Sequence, residues 1–384
     1  MGIDNDIFTG RQGMNLDDSL KLKVLLYSDA AYAGGAEKYL YYLARYLPCR
    51  KHLVIERERI PARLKKWLES IDIPVTEISG GSAASRLRSL YRLIRDTGPD
   101  IFHMNLPGPF DAHYSIAAPV ARAAGVKNII STEHLPMVPP FLKSRVLKGL
   151  STRFIDCVIT VSRDNRRHLI RQHHLPDRKI RVVYNGIPDP AGRETERKDH
   201  IPGGKGVFRV AVIGSLLRKK GQKEAIEGLA QLDQEIHLYL AGEGEMESRL
   251  RELTLKLGLE NRVHFMGYVD DIFSFLSEMD LLLVPSSIEA TPYTVIEGMA
   301  MGVPVLASDI FGIPEVIEDG RSGILIQREK LHSAIRSLFE NRSLMEDISR
   351  EGRKRYEKHF RVEKSIKETM NIYREVKAGR GALL

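Results

Sequence analysis

The sequence predicts an α/β chain of two doubly wound domains, each a parallel sheet covered by helices. Short apolar runs alternate with amphipathic helical stretches along most of the chain, the pattern of successive βαβ units rather than of hairpins. A segment rich in charge, Pro and Gly at 188–206, PDPAGRETERKDHIPGGKG, lacks apolar periodicity and interrupts that pattern, which restarts at Phe208. A length of 384 residues with 43% hydrophobic content is enough for two cores.

Composition narrows the function classes. No apolar run approaches the roughly 20 residues that span a bilayer, and the acidic N-terminus lacks the basic start of a signal peptide, so cytoplasmic residence is the expectation. Cys49 and Cys157 make neither a disulfide framework nor a metal site, and Cys157 reads as core within an apolar strand. The net charge of +8 is uneven: residues 1–199 hold 32 Lys/Arg against 22 Asp/Glu, and the remainder 26 against 28. A basic first half suits an anionic partner, either a membrane face or a pyrophosphate-bearing acceptor, although solvated helix faces produce the same imbalance. No DNA or RNA motif accompanies the charge, and no nucleic-acid partner is expected.

Taken in order, residues 1–20 are polar and aperiodic and read as a disordered leader. The first domain is expected over 21–187. Lys23–Ser28 is a strand, followed by Gly34-Gly35-Ala36-Glu37 and a helix over Lys38–Leu47; glycines between strand and helix let backbone approach a ligand closely. Strands follow at His52–Ile55, Val75–Ile78, Ile101–His103, Asn128–Ser131, Ile155–Val161 and Ile180–Tyr184. Helices fall at Ala62–Ser70, Ser85–Arg95 and Ala112–Ala124. Ligands of such sheets bind outside the carboxyl ends of the strands, an edge to which His103 and His134 are both assigned; a histidine there is more often structural than catalytic. The segment 139–154, PPFLKSRVLKGLSTRF, alternates basic and bulky apolar groups. It reads as a membrane-surface helix with Phe141, Leu142, Val146, Leu147 and Leu150 buried in lipid and Lys143, Arg145 and Lys148 on headgroups, or as a core-packed helix of the same pattern.

The second domain is expected over 207–355, with a final helical segment at 356–384. Strand Phe208–Ile213 leads through Gly214-Ser215-Leu216-Leu217-Arg218-Lys219-Lys220-Gly221 to a helix at Gln222–Ala230. A lysine at a strand's carboxyl edge is placed for phosphate, though Lys-Lys-Gly also serves as a plain approach to a helix. After strand Ile236–Ala241, Gly242-Glu243-Gly244 begins a dinucleotide fingerprint that fails at Glu247, where glycine is required, so NAD is not expected. Strand Val263–Phe265 and a helix at Ile272–Glu278 lead to LLLVPSSIEATPYTVIEGMAMGVPVLASDIFGIPE at 281–315. Here an apolar strand, Leu281–Val284, breaks at Pro285 into a loop. Thr291 is the expected N-cap and Pro292 the first helical residue, so that the amides of Tyr293, Thr294 and Val295 form an anion site at the helix start. Glu289 and Glu297 frame it. Carboxylates cannot face phosphate usefully but accept hydrogen bonds from sugar hydroxyls, which suits a phosphorylated sugar; the alternative is a solvated loop glutamate and a helix-surface glutamate.

Glu289 and Glu297 in this setting, with Gly-Met-Ala-Met-Gly-Val-Pro-Val after them and Gly312-Ile313-Pro314-Glu315 beyond, resemble the donor-site signature of retaining GT-B glycosyltransferases of family four. The resemblance covers about residues 22–375. It implies two Rossmann-like domains facing across a cleft, with the last helix crossing back to the first domain. It implies transfer of a sugar, with retention, from a nucleotide-diphosphate sugar, UDP favoured over GDP, to an acceptor hydroxyl of a glycan or glycolipid in polysaccharide or glycolipid assembly. It places Gly35 beside the donor diphosphate, His134 at the donor sugar, His103 on the acceptor side, Lys220 on the diphosphate and Glu297 on the ribose. The family pattern Gly-Arg-Leu, three residues, Lys-Gly departs here, because Ser215 replaces the arginine; Arg218 or Lys219 then compensates for its charge. No Asp-x-Asp occurs outside Asp4–Asp6, so neither a metal nor another cofactor is expected. A peripheral position at the inner membrane face completes the expectation. Rival readings are a GT-B nucleotide-sugar epimerase and a catalytically silent two-domain binding protein.

Overall fold

The computed structural model describes residues 21–28, 34–56, 62–106, 112–135, 142–190, 201–202, 204 and 206–379. They form two compact units: the chain up to Asn185 together with the stretch from Val362 onward, and Gly186–Arg361. The expected leader 1–20 and residues 191–200 of the expected linker lie outside the described residues.

The first unit runs β1 (Lys23–Ser28), α1 (Gly35–Tyr46), β2 (Arg50–Glu56), α2 (Ala62–Glu69), β3 (Val75–Ile78), α3 (Ala83–Thr97), β4 (Ile101–Leu106), α4 (Ala112–Ala123), β5 (Asn128–Glu133), α5 (Leu142–Ser151), β6 (Cys157–Thr160), α6 (Arg163–His173) and β7 (Ile180–Val182). Its strands pair in parallel in the order β3-β2-β1-β4-β5-β6-β7. Parallel neighbours cannot be joined by a tight turn, so each strand is followed by a crossover helix, and strands covered on both faces become continuously apolar. Helix starts are set locally: Ser82 Oγ accepts from Ser85 N–H at 3.2 Å to open α3, and Ser162 Oγ from Asn165 N–H at 3.0 Å to open α6.

The second unit runs β8 (Phe208–Ile213), α7 (Gln222–Leu229), β9 (Ile236–Ala241), α8 (Glu247–Lys256), β10 (Val263–Gly267), α9 (Ile272–Ser277), β11 (Leu281–Val284), α10 (Tyr293–Ala300), β12 (Val305–Ser308), α11 (Ile313–Val316), β13 (Ile324–Ile326), α12 (Leu331–Glu340) and α13 (Arg342–His359). Its parallel sheet has the order β10-β9-β8-β11-β12-β13. The last helix, α14 (Val362–Lys377), belongs to the first unit, where Ile366, Met370 and Tyr373 are buried and Lys377 Nζ pairs with Asp100 at 3.0 Å.

In both sheets the strand order reverses beside the first strand, between β1 and β4 and between β8 and β11. That is where a doubly wound sheet opens a crevice beyond its strand ends. Several elements differ from expectation. α6, α8, α11 and β12 are absent from the sequence expectation, and α1 starts at Gly35 rather than Lys38. β4 runs on to Leu106, so His103 is its third residue and not at its carboxyl edge. α10 begins at Tyr293, with Pro292 rather than Thr291 at the cap position, because Pro292 holds extended backbone at φ −68° and ψ 127°.

Candidate functional site

In the second unit the loops after β8 and β11 are joined. Lys219 O accepts from Ser287 N–H at 2.8 Å and from Ser287 Oγ at 3.2 Å. Gly221, at φ +78°, starts α7 so close to β11 that an added Cβ would lie 2.1 Å from Pro285 O. Gly242 likewise has no room for a side chain, since its Cβ would meet Gly214 O at 2.0 Å; this explains the glycines that imitate a dinucleotide fingerprint. At that junction the Lys220 ammonium and the Glu289 carboxylate form an ion pair, and Ser286 Oγ donates to Glu289 Oε1 at 3.3 Å. Sequence reasoning assigned Lys220 and Glu289 to different parts of a ligand and missed that they pair with each other. Burial, and then the neighbouring Lys220 charge, lower the Lys219 pKa.

Ala290, Thr291 and Pro292 lead from Glu289 into α10, whose first intrahelical bond runs from Ile296 N–H to Pro292 O at 3.5 Å. The amides of Tyr293, Thr294 and Val295 precede that bond and lie at the positive end of the helix dipole. Glu297 is buried one turn further on, which excludes the helix-surface alternative, and the Val295 side chain is core, leaving only its amide to serve a ligand. Ser215 is exposed, and its carbonyl accepts from Gln222 Nε2 at 3.1 Å.

In the first unit α1 opens at Gly34-Gly35, and Gly34 N–H donates to Glu37 Oε2 at 2.9 Å. Gly35 is thus the first helical residue after β1, with its amide at a helix N-terminus. His134 follows β5 at the sheet's carboxyl edge, as its sequence position predicted. Its Nε2 lies 2.8 Å from Asn105 Oδ1, Asn105 Nδ2 donates to Ala36 O at 3.0 Å, and the Tyr39 ring meets the imidazole edge-on at 4.9 Å. Asn105 therefore connects the α1 start to His134, a role no motif announced. His103 is wholly buried, with Nδ1 2.5 Å from Tyr373 Oη and Nε2 2.7 Å from Thr132 Oγ1, and Thr132 also bonds Tyr39 Oη at 3.1 Å. The placement of His103 at the acceptor edge is accordingly corrected: it is a core hydrogen-bonding residue that ties β4 to α14.

The 139–154 segment needs a second correction. Lys148 is buried, and its Nζ donates to Glu133 Oε1 at 2.5 Å, so it cannot sit on headgroups. Val146, Leu150 and Phe154, spaced four apart, remain exposed at 53%, 47% and 38%. Residues 139–141 and the side chains of Leu142, Lys143, Arg145 and Leu147 lie outside the described residues.

Burial pushes the imidazoles of His103 and His134 down from 6.5 to about 3. Above pH 6.5 the folded and unfolded chains both hold them neutral; below it only the unfolded chain takes up the protons, so stability falls as pH falls. Urea midpoints should decline steadily from pH 6.5 toward pH 4, and His103→Gln should flatten that slope. An unchanged slope would show that another group carries the acid sensitivity.

The family described as Glycosyltransferase Family 4 matches residues 33–189, and that described as Glycosyl transferases group 1 matches residues 193–355. EpsD of Bacillus subtilis, a putative glycosyltransferase, is 30% identical over 310 residues, covering 74% of this chain and 79% of its own. The chain belongs to the group 1 glycosyltransferases. This glycosyltransferase is also 26% identical over 242 residues to the uncharacterised glycosyltransferase MJ1607 of Methanocaldococcus jannaschii, covering 59% of this chain and 62% of that one. Its fold is GT-B: HepE of Anabaena, solved with UDP, superposes with a TM-score of 0.80 at 22% identity, covering 92% of this glycosyltransferase and all of HepE.

Proposed function

We propose that this glycosyltransferase moves a sugar, with retention, from a UDP-sugar to the hydroxyl of a glycan or glycolipid acceptor. The observation that carries the reading is the junction of the second unit, where Lys220, Glu289 and the start of α10 meet beyond the strand ends. A cation paired with the loop that leads into a helix N-terminus is suited to a diphosphate, and the glutamates to its sugar and ribose hydroxyls. In the proposed step the bond from the anomeric carbon to the phosphate oxygen breaks and the acceptor oxygen bonds that carbon from the same face. The acceptor proton passes to the departing phosphate oxygen. What this demands of the protein is stabilisation of charge growing on the diphosphate, the task assigned to Lys220, the Tyr293–Val295 amides and the Gly35 amide. His134 and Glu289 position the sugar, Glu297 holds the ribose, and Ser215 offers a hydroxyl where the family pattern has a guanidinium. The preference for UDP draws on HepE, which binds it.

A thermal-shift panel of UDP-, GDP- and ADP-sugars tests the reading, since a ligand at 100 times its Kd adds about 2.7 kcal/mol of stability. Glu297→Ala should weaken the donor that binds, and unchanged affinity by calorimetry would remove Glu297 from the ribose. A new sugar epimer formed without acceptor would establish the epimerase instead; binding without any turnover, the silent binder.

For a lipid-linked acceptor we propose contact between an anionic membrane and the exposed Val146 and Leu150 of α5, with Phe154 exposed in the turn that follows, on a chain half that is rich in cations. No helix among the described residues is long and apolar enough to cross a membrane. The chain should sediment with anionic vesicles at low salt, and Val146→Ser with Leu150→Ser should release it. A wild type left in the supernatant would point to a soluble acceptor.

A further inference from the structure

Asn105 is 1% exposed and its amide can be oriented in only one way. Ala36 O is a carbonyl and can only accept, so Nδ2 must face it, as the 3.0 Å contact requires. Oδ1 is then left to His134 Nε2 at 2.8 Å, and an oxygen without a hydrogen must be met by an N–H. Burial lowers the His134 pKa to about 3, so the ring is neutral near pH 7 and carries a single hydrogen. With that hydrogen on Nε2, Nδ1 is an acceptor, and no described residue donates to it. The edge-on Tyr39 ring, whose phenol burial keeps protonated with a pKa of about 12, fixes the imidazole plane. Among the described residues, the side chains that contact the ring are Tyr39 from α1 and Asn105 from β4, with neutral His103 behind Thr132.

We propose that Asn105 is a positioning residue that locks His134 as its Nε2–H tautomer, so that Nδ1 offers a lone pair and selects a hydroxyl, rather than a carbonyl or carboxylate, on the sugar it meets. The inference rests on the reading of His134 as a sugar contact, but the tautomer is open to test without any ligand. A ligand group that can only accept would face the lone pair of Nδ1 and be repelled, whereas a hydroxyl donates to it. Asn105 thus sets what His134 recognises without touching the substrate.

Long-range proton–nitrogen correlation on full-length protein labelled with ¹⁵N-histidine reads the tautomer directly, the His134 signals being those lost in His134→Gln. The expected wild-type spectrum at pH 7 has Nε2 protonated and Nδ1 bare, and Asn105→Ala should shift it toward a mixture of tautomers. A wild type with hydrogen on Nδ1, or with a charged ring, overturns the proposal even if no variant folds. On the ligand side, calorimetry with UDP-glucose and its four monodeoxy analogues should show one deoxygenation that costs the wild type about three- to tenfold, the worth of one neutral hydrogen bond. That penalty should shrink in Asn105→Ala; equal penalties in the two proteins overturn the recognition role. If UDP-glucose and every analogue fail to bind, the donor reading above is what fails, and the spectrum decides the tautomer by itself.

Discussion

Lys220→Ala should lower kcat by about 10²- to 10³-fold while weakening donor binding by less than about tenfold. The asymmetry follows from where charge develops. On the proposed reading the diphosphate of the bound donor already shares its charge with the α10 amides, but as the glycosidic bond breaks the leaving oxygen gains charge that an ammonium best matches. The Lys220 and Glu289 side chains are 25% and 10% exposed, so their interactions are only partly screened by water. Losing the lysine also leaves Glu289 with the Ser286 hydroxyl at 3.3 Å and without its ion-pair partner, which should disturb the carboxylate proposed to position the sugar. Steady-state rates beside calorimetric affinities check this. Equal losses in both would mean that Lys220 only holds the donor and contributes nothing specific to the transition state.

The second large effect is on stability. Lys148→Met should destabilise the first unit by about 3–5 kcal/mol, because it strands the Glu133 carboxylate, which is 1% exposed, without its counter-charge. The Glu133→Leu, Lys148→Met double variant should recover most of the loss, since two apolar groups of similar size fill the same space without a desolvated charge. Urea unfolding of both variants decides the matter. A single variant as stable as the wild type, but unable to bind vesicles, would return Lys148 to the headgroups.

Both effects bear on what the sequence could reveal. Strand and helix alternation was legible because parallel strands covered on both faces become uninterrupted apolar runs, as Leu281–Val284 does, and Gly and Pro punctuate them. The restart at Phe208 was legible for the same reason. Ends were harder. β4 was stopped at His103 because Met104-Asn105-Leu106 breaks no rule for a loop; His103 and Asn105 are tolerated inside a strand only because Tyr373, Thr132, Ala36 and His134 satisfy them, and none of those partners is near in sequence. Lys148 failed for a similar reason, since a helix with lysine beside leucine looks alike whether the lysine faces lipid headgroups or a buried glutamate. The glutamates around α10 announced a ligand site, but side-chain pairing across loops, as between Lys220 and Glu289, has no local spacing to betray it. At α10 the cap preference of threonine misplaced the helix start by one residue, because proline's fixed φ also permits the extended ψ it adopts.

The return of α14 to the first unit has a consequence for how the protein is made. Tyr373, which completes the hydrogen bonds of His103, emerges 270 residues after it. At about 5–20 residues per second, a ribosome takes roughly 15–50 s to cover that distance, and until then the nascent first unit holds a buried-type histidine and an uncovered sheet face. The second unit, contiguous from Gly186 to Arg361, has no such wait once it has been extruded. The half synthesised first is thus the half finished last, and during that interval its open face is the surface a chaperone would have to shield.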